Sequence, residues 1–337
     1  MSALDKQSDR YLIVEALNDD CRFVSVIVFR NDPRCSYTRQ QDKVNPMFTY
    51  EPTLELSVVI VAYNMARELP RTLATLAPGK QLHIKAEEYE VIVVDNGSTQ
   101  NIDVAALNAI NTRLRFLSYP DPSPSPVDAL NYGISLAKGK VVCAWIDGAR
   151  LASPGLLATG LSATRLSARS VVGALSYHLG HKPQNVSVNR GYDQRAEDAL
   201  LRSVSWQENG YELFRIASFD PSSRFGTFAC PSETNALFMN RKMWIESGGY
   251  DRRFKGKGGG TVNLEIWERL CWNPNNYVAT LLREGTFHQF HGGVATNSPI
   301  NIWGELNEEH KTITGSFFRQ PEVTPHVFGQ LSPQALA

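Results

Sequence analysis

The side chains in this sequence that could do chemistry gather in a few short polar segments. Ala62-Tyr63-Asn64, the Asp95-Asn96-Gly97-Ser98-Thr99 turn and Asp147-Gly148-Ala149-Arg150 each follow a long apolar run. Much later, His288 and His291 frame the tetrapeptide HQFH. Imidazoles are metal ligands, but at this spacing two of them point to opposite faces of a strand and meet only on a helix or a bend. A glycine-rich stretch, Lys255 to Gly260 (KGKGGG), lacks the Walker pattern and is not followed by Lys-Ser or Lys-Thr. It reads as a mobile loop rather than a phosphate loop.

The apolar runs say where the polar tips must lie. LELSVVIVAYN, EVIVVDNGST and VVCAWIDGA are nearly apolar throughout, as expected of strands covered on both faces in a parallel sheet. Helix-compatible segments separate them: LPRTLATLA, with Pro70 in its first turn, and DALNYGISLAKG, expected to close on Gly139. This βαβ series places ligands beyond the carboxyl ends of the strands, so all three polar tips fall on one rim. The proline-rich segment YPDPSPSPVDAL (119–130) is a loop, read either as a surface connection or as a wall of the ligand site. Ser153 and Pro154 read as N-cap and first turn of a further helix. VVGALSYHLG reads as a strand and VNLEIWERLCW as a helix, while the chain past Gly293 is weakly patterned. At the other end, YLIVEALNDDCRFVSVIVFR (11–30) predicts a β-hairpin, followed by an irregular lead-in.

Bulk composition narrows the class. The 337 residues are 42% hydrophobic and 20% charged, with 34 basic and 34 acidic side chains. Zero formal charge removes the simplest argument for a nucleic-acid partner. Five cysteines with no CxxC pair argue against a zinc cage or disulfide framework and predict a reducing compartment. A polar first decapeptide predicts no signal peptide, and the longest apolar runs are too short to span a bilayer. A cytoplasmic protein with at most peripheral membrane contact is expected.

SVVIVAYN, VIVVDNGST and SPVDALNYGISLAKGKVVCAWIDGA resemble the nucleotide-binding half of family-2 glycosyltransferases. ALFMNRKMWIESGGYDRRF resembles their acceptor-side segment, and GTFHQFHGG their histidine-bearing strand end. The resemblance runs over roughly residues 54 to 296. It implies a GT-A type α/β fold: a mostly parallel central sheet with helices on both faces, here with the N-terminal hairpin as an extension. The implied organisation is an extension over 1–53, a nucleotide-sugar-binding half over 54–150, an acceptor-side half over 151–296 and a C-terminal tail over 297–337. The implied activity is transfer of a sugar, inverting and metal-assisted, from a nucleotide-sugar donor (a UDP-sugar favoured) to a saccharide or other hydroxyl.

The resemblance also implies roles. Ala62, Tyr63, Asn64 and Asp95 would meet the nucleobase, since a carboxylate can accept the imide N–H of uracil; a turn or cap is the plainer reading of Asp95 and Asn64. Asp147 matches the first acid of the D-x-D motif, which holds Mn²⁺ or Mg²⁺ against the diphosphate. The second acid is replaced by Ala149. His291, with His288 as alternate, could complete the coordination, or Arg150 could supply cationic charge to the phosphates. The family's catalytic Asp falls on Asn263, which cannot take a proton. Glu265 is the nearest carboxylate and the first candidate for the base, with Glu233 second; Glu265 and Glu268 share a helical face and could equally be a solvated pair. These departures keep two alternatives open, a nucleotide-sugar-binding module with impaired chemistry and a nucleotidyltransferase-like enzyme.

Overall fold

The computed structural model describes residues 54–293, 297 and 302–330. The hairpin and lead-in expected over 1–53 lie outside the described residues. Ten strands form one sheet: β1 (Leu56–Ala62), β2 (Tyr89–Asp95), β3 (Leu114–Ser118), β4 (Val141–Trp145), β5 (Arg150–Ala152), β6 (Ser170–Leu179), β7 (Ala217–Phe219), β8 (Leu237–Asn240), β9 (Tyr277–His288) and β10 (His326–Phe328). Their main order is β10-β9-β6-β8-β4-β1-β2-β3, with β5 on β9 and β7 on β6. Along that path only β8 runs antiparallel to its neighbours.

The apolar runs become strands because both faces are covered. Leu56, Val58, Ile60 and Ala62 pack with Leu69 and Leu73 of the helix Leu69–Thr75 and with Leu156, Leu157 and Leu161 of the helix Leu156–Thr164. Val59 and Val61 face the other way, into a second core with the helices Val127–Ser135 and Val262–Cys271. Side-chain alternation at period two, with apolar residues on both phases, requires this two-layer cover. Among the described residues no helix is long and apolar enough to cross a membrane.

Three local expectations are corrected. The helix over 127–135 ends at Leu136, not at Gly139. Gly139 is required by close approach instead: a Cβ there would lie 2.5 Å from the Ser57 backbone nitrogen and 2.6 Å from the Leu56 carbonyl carbon. Backbone cannot step aside as a side chain can, so Gly139→Ala is expected to cost about 1–3 kcal/mol by overpacking, read as a lowered urea midpoint with unchanged slope. Ser153 does not cap a helix; its hydroxyl bonds Glu284, and Gly155 is the N-cap. The weakly patterned tail is part of the sheet: β10 pairs with β9, and it is preceded by the helix Trp303–Thr314.

Candidate functional site

The tips of β1, β2 and β4 lie on one rim. Ala62 is in register with Asp95, and Ile60 with Trp145, two residues before Asp147. A cavity of about 750 Å³ opens there. Tyr63, Asn64, Asn96 and Gly97 line one end, and Pro122, Ser123 and Pro124 form a wall, so the proline-rich segment is a wall and not a plain connection. Asp147, Arg150, His288 and His291 line the cavity, and Lys257, Gly258 and Gly260 face it from the glycine-rich stretch. In that stretch Gly258, Gly259 and Gly260 all have positive φ, and the Gly258 N–H donates to the Pro124 carbonyl. Ile302 and Leu306, from the tail, close another side.

The first two tips are mutually braced. Asn64, itself left-handed at φ 53°, accepts through Oδ1 from the Thr99 and Gln100 N–H groups, and its own N–H donates to Ser98 Oγ. Asp95 accepts from the Ser98 N–H and hydroxyl. Both plain readings hold for these two side chains, which shape the turn; Asn64 also lines the cavity, whereas next to Asp95 the lining passes to Asn96 and Gly97. Ala62 is fully buried at the end of β1, and its carbonyl accepts from the Asn96 N–H. Tyr63 is 49% exposed, with its ring free to stack.

At the third tip, β9 ends on His288 and the chain bends, which lets His288 and His291 converge. His288 Nε2 lies 3.1 Å and His291 Nε2 3.6 Å from Asp147 Oδ2, and the two Nε2 atoms are 3.2 Å apart. The ligand atoms of all three residues lie within 4.8 Å of one another. Asp147 Oδ1 accepts from the Ala149 N–H, which aims the other oxygen at the histidines. Burial pushes the His288 imidazole down to about 3, so this ring is neutral at pH 7. Burial also opposes ionisation of Asp147, but the charge on His291 outweighs it and holds the carboxyl well below the usual range. Burial opposes the charge on His291 too, and Asp147 more than offsets it, raising that pKa.

His288 Nδ1 is 2.7 Å from Gln184 Oε1, an acceptor, so Nδ1 carries the hydrogen and Nε2 presents a lone pair. Its 3.1 Å approach to a carboxylate oxygen is therefore a meeting of two acceptors, which a cation between them satisfies. One carboxylate oxygen and two imidazole nitrogens converging on a point fit a divalent ion.

Arg150 sits beside this group on β5, opposite His288 on β9. It is 4% exposed, and its Nε is 3.5 Å from Asp147 Oδ2. Its Nε and Nη1 atoms have no hydrogen-bond partner among the described residues. A buried guanidinium with open donors in a cavity wall fits an anionic ligand oxygen.

The expected base is placed differently. Glu265 is buried against Arg269, with Arg269 Nε 2.5 Å from Oε1, and Arg269 also donates to the Ser247 and Gly249 carbonyls. Neither Glu265 nor Glu233 is among the residues that line the cavity. The Glu265 ion pair at i, i+4 is a tertiary brace. Glu268 faces His310 at 3.5 Å. Glu233 is instead held by Asn263, whose Nδ2 donates to Oε2 at 2.8 Å. Burial first, and Asp220 second, push the Glu233 carboxyl up, while Asn263 and Arg150 pull it down. The residue at the expected catalytic position thus orients the second candidate, and Arg150 acts on both the cavity and Glu233.

Gln184, Asn297 and the pair Ile302 and Leu306 carried no sequence signal. None belongs to a motif, and each reaches the site by tertiary folding alone.

The glycosyl transferase family 2 profile matches residues 57–229. Two similar proteins are a validoxylamine A glucosyltransferase of Streptomyces hygroscopicus subsp. jinggangensis, 31% identical over 232 residues, and a PGL/p-HBAD biosynthesis glycosyltransferase of Mycobacterium tuberculosis, 24% identical over 201. The first alignment covers 62% of this chain and 50% of the relative, the second 59% and 64%. The chain thus spans about half the length of the streptomycete relative it matches. Among solved structures, S. aureus TarS 1–349 in complex with UDP-GlcNAc superposes with a TM-score of 0.53 at 14% identity, over 77% of this chain and 65% of that one.

Proposed function

The chain belongs to glycosyl transferase family 2 and has a GT-A fold, and from that premise we propose that its cavity binds a UDP-sugar and a divalent cation and transfers the sugar, with inversion, to a hydroxyl acceptor. The observation that carries this reading is the convergence of Asp147, His288 and His291 on the floor of a cavity whose far end is built from the β1 and β2 tips. The two histidines supply ligand atoms beside Asp147 in a motif that lacks its second acid.

In this reading Asp147, His288 and His291 would hold Mn²⁺ or Mg²⁺, which when bound would supply positive charge against the departing diphosphate. Arg150 donates its free N–H groups to a phosphate oxygen. Tyr63, Asn96 and Gly97 hold the nucleobase against the Pro122–Pro124 wall. Glu233, kept in place by Asn263, takes the proton from the acceptor hydroxyl; a carboxyl with a raised pKa is better matched to that task than an ordinary one. The acceptor is a saccharide or another hydroxyl compound.

A specific observation also favours a binding module without chemistry, namely the neutral Asn263 at the family's base position. Diffraction from crystals grown with UDP and Mn²⁺ tests the donor site. The expected result is an anomalous peak bridging Asp147, His288 and His291, with the diphosphate on its open side. Nucleotide outside this cavity, or the ion on other residues, would overturn the reading.

A further inference from the structure

We infer that Gln184 and Asn297 form a positioning couple for the metal-binding turn: Gln184 locks His288 in the tautomer whose Nε2 faces Asp147, and Asn297 folds the backbone that brings His291 to the same point. This rests on the metal reading above, and neither residue lines the cavity.

Gln184 is fully buried, in the four-residue helix Gln184–Ser187 that follows β6. Its Nε2 donates to the His288 carbonyl at 3.0 Å and lies 3.4 Å from the Leu179 carbonyl. Both partners are acceptors, which fixes which way round the amide sits. Oε1 is then left to accept, and it does so twice, from His288 Nδ1 at 2.7 Å and from Asn297 Nδ2 at 2.9 Å. A side chain that grips both the ring and the carbonyl of one residue sets that ring's tautomer and its rotation together. The Gln184 backbone adds to this by donating its N–H to His178 Nδ1, and the His178 ring lies 5.3 Å from that of His288.

Asn297 is oriented by the same logic. Its Nδ2 is committed to Gln184, so Oδ1 faces the other way. There it accepts from three consecutive backbone N–H groups, those of His291, Gly292 and Gly293, at 3.1, 3.0 and 3.1 Å. Three successive amides turned toward one oxygen require a tight bend, and Gly292 supplies its positive φ of 86°. That bend is what lets two histidines at i, i+3 share a face. The two amides touch each other, so the ring of one ligand and the backbone of the other are set by a single hydrogen-bonded unit. Groups that orient metal-binding histidines in this way typically govern roughly 10–100-fold in metal affinity.

The test uses the full chain and Mn²⁺ alone, with free Mn²⁺ followed by electron paramagnetic resonance. Gln184→Leu and Asn297→Ala are expected to weaken Mn²⁺ binding roughly 10–100-fold. Gln184→Glu keeps the acceptor for His288 Nδ1 but loses the donor to the His288 carbonyl, and Asn297→Asp keeps the acceptor for the three N–H groups but loses the donor to Gln184; each should bind Mn²⁺ less tightly than the parent and more tightly than the variant at the same position that lacks the acceptor. Nitrogen-15 spectra of the histidines supply a readout that fold stability does not move: a single His288 tautomer in the parent and a mixture in Gln184→Leu. Should Gln184→Leu fail to fold, the Asn297→Ala and Asn297→Asp pair decides. Parent-like Mn²⁺ affinity in Gln184→Leu or Asn297→Ala, alongside a clear loss in Asp147→Asn, sinks the positioning role and leaves the metal site standing. No Mn²⁺ binding by the parent, or none lost in Asp147→Asn, overturns the metal site and this inference with it.

Discussion

Asp147→Asn is expected to lower sugar transfer about a thousandfold, or about 4 kcal/mol of transition-state stabilisation. The substitution removes the carboxylate of the group formed by Asp147, His288 and His291, which could hold a metal ion. It also leaves Arg150 and His291 facing each other without the anion between them. Local folding should survive, because Asn keeps an oxygen to accept the Ala149 N–H that Asp147 Oδ1 accepts now. Circular dichroism should therefore match the parent while turnover collapses. Near-parent turnover would move the charge-neutralising role to Arg150 and place the chain among metal-independent transferases.

The second large effect is assigned to Glu233. Glu233→Gln removes the proton acceptor but can still accept the Asn263 amide N–H. It should reduce kcat roughly 10²–10⁴-fold, the usual contribution of a general base, with UDP affinity unchanged. Because water can stand in for the acceptor, single-turnover donor hydrolysis can be used as the assay. Glu265→Gln is the contrasting variant. It weakens the brace that holds Arg269 to the Ser247 and Gly249 carbonyls, so it should lower thermal stability and leave turnover nearly intact. The reverse pattern would restore Glu265 as the base. If both variants keep parental turnover, neither carboxylate is the base; absence of turnover in the parent itself is what would favour the binding-module reading.

The sheet was legible because its strands are apolar on both phases, a pattern few other elements produce. The common rim of Ala62, Asp95 and Asp147 followed from the βαβ series alone, since parallel strands must end together. Convergence of His288 and His291 was not legible. It depends on a bend set by Asn297, an oxygen acceptor in a stretch without periodicity. The surroundings of Glu265 were not legible for a related reason: its helix position is plain from sequence, but its pairing with Arg269 depends on where Arg269 points across the helix face. Gly139 shows the same limit at backbone level, where a residue expected to end a helix is instead needed for room beside β1. The tail carried little signal because β10 is three residues long and the helix Trp303–Thr314 buries little of itself.

The central claim, that Asp147, His288 and His291 hold a cation against a nucleoside diphosphate, is tested most directly by calorimetric titration of UDP into the parent and into Asp147→Asn, each with Mn²⁺ and with chelator. Tight binding is expected only for the parent in Mn²⁺, with weak binding of similar strength in the other three conditions. Equal UDP affinity of the parent in Mn²⁺ and in chelator would contradict that claim.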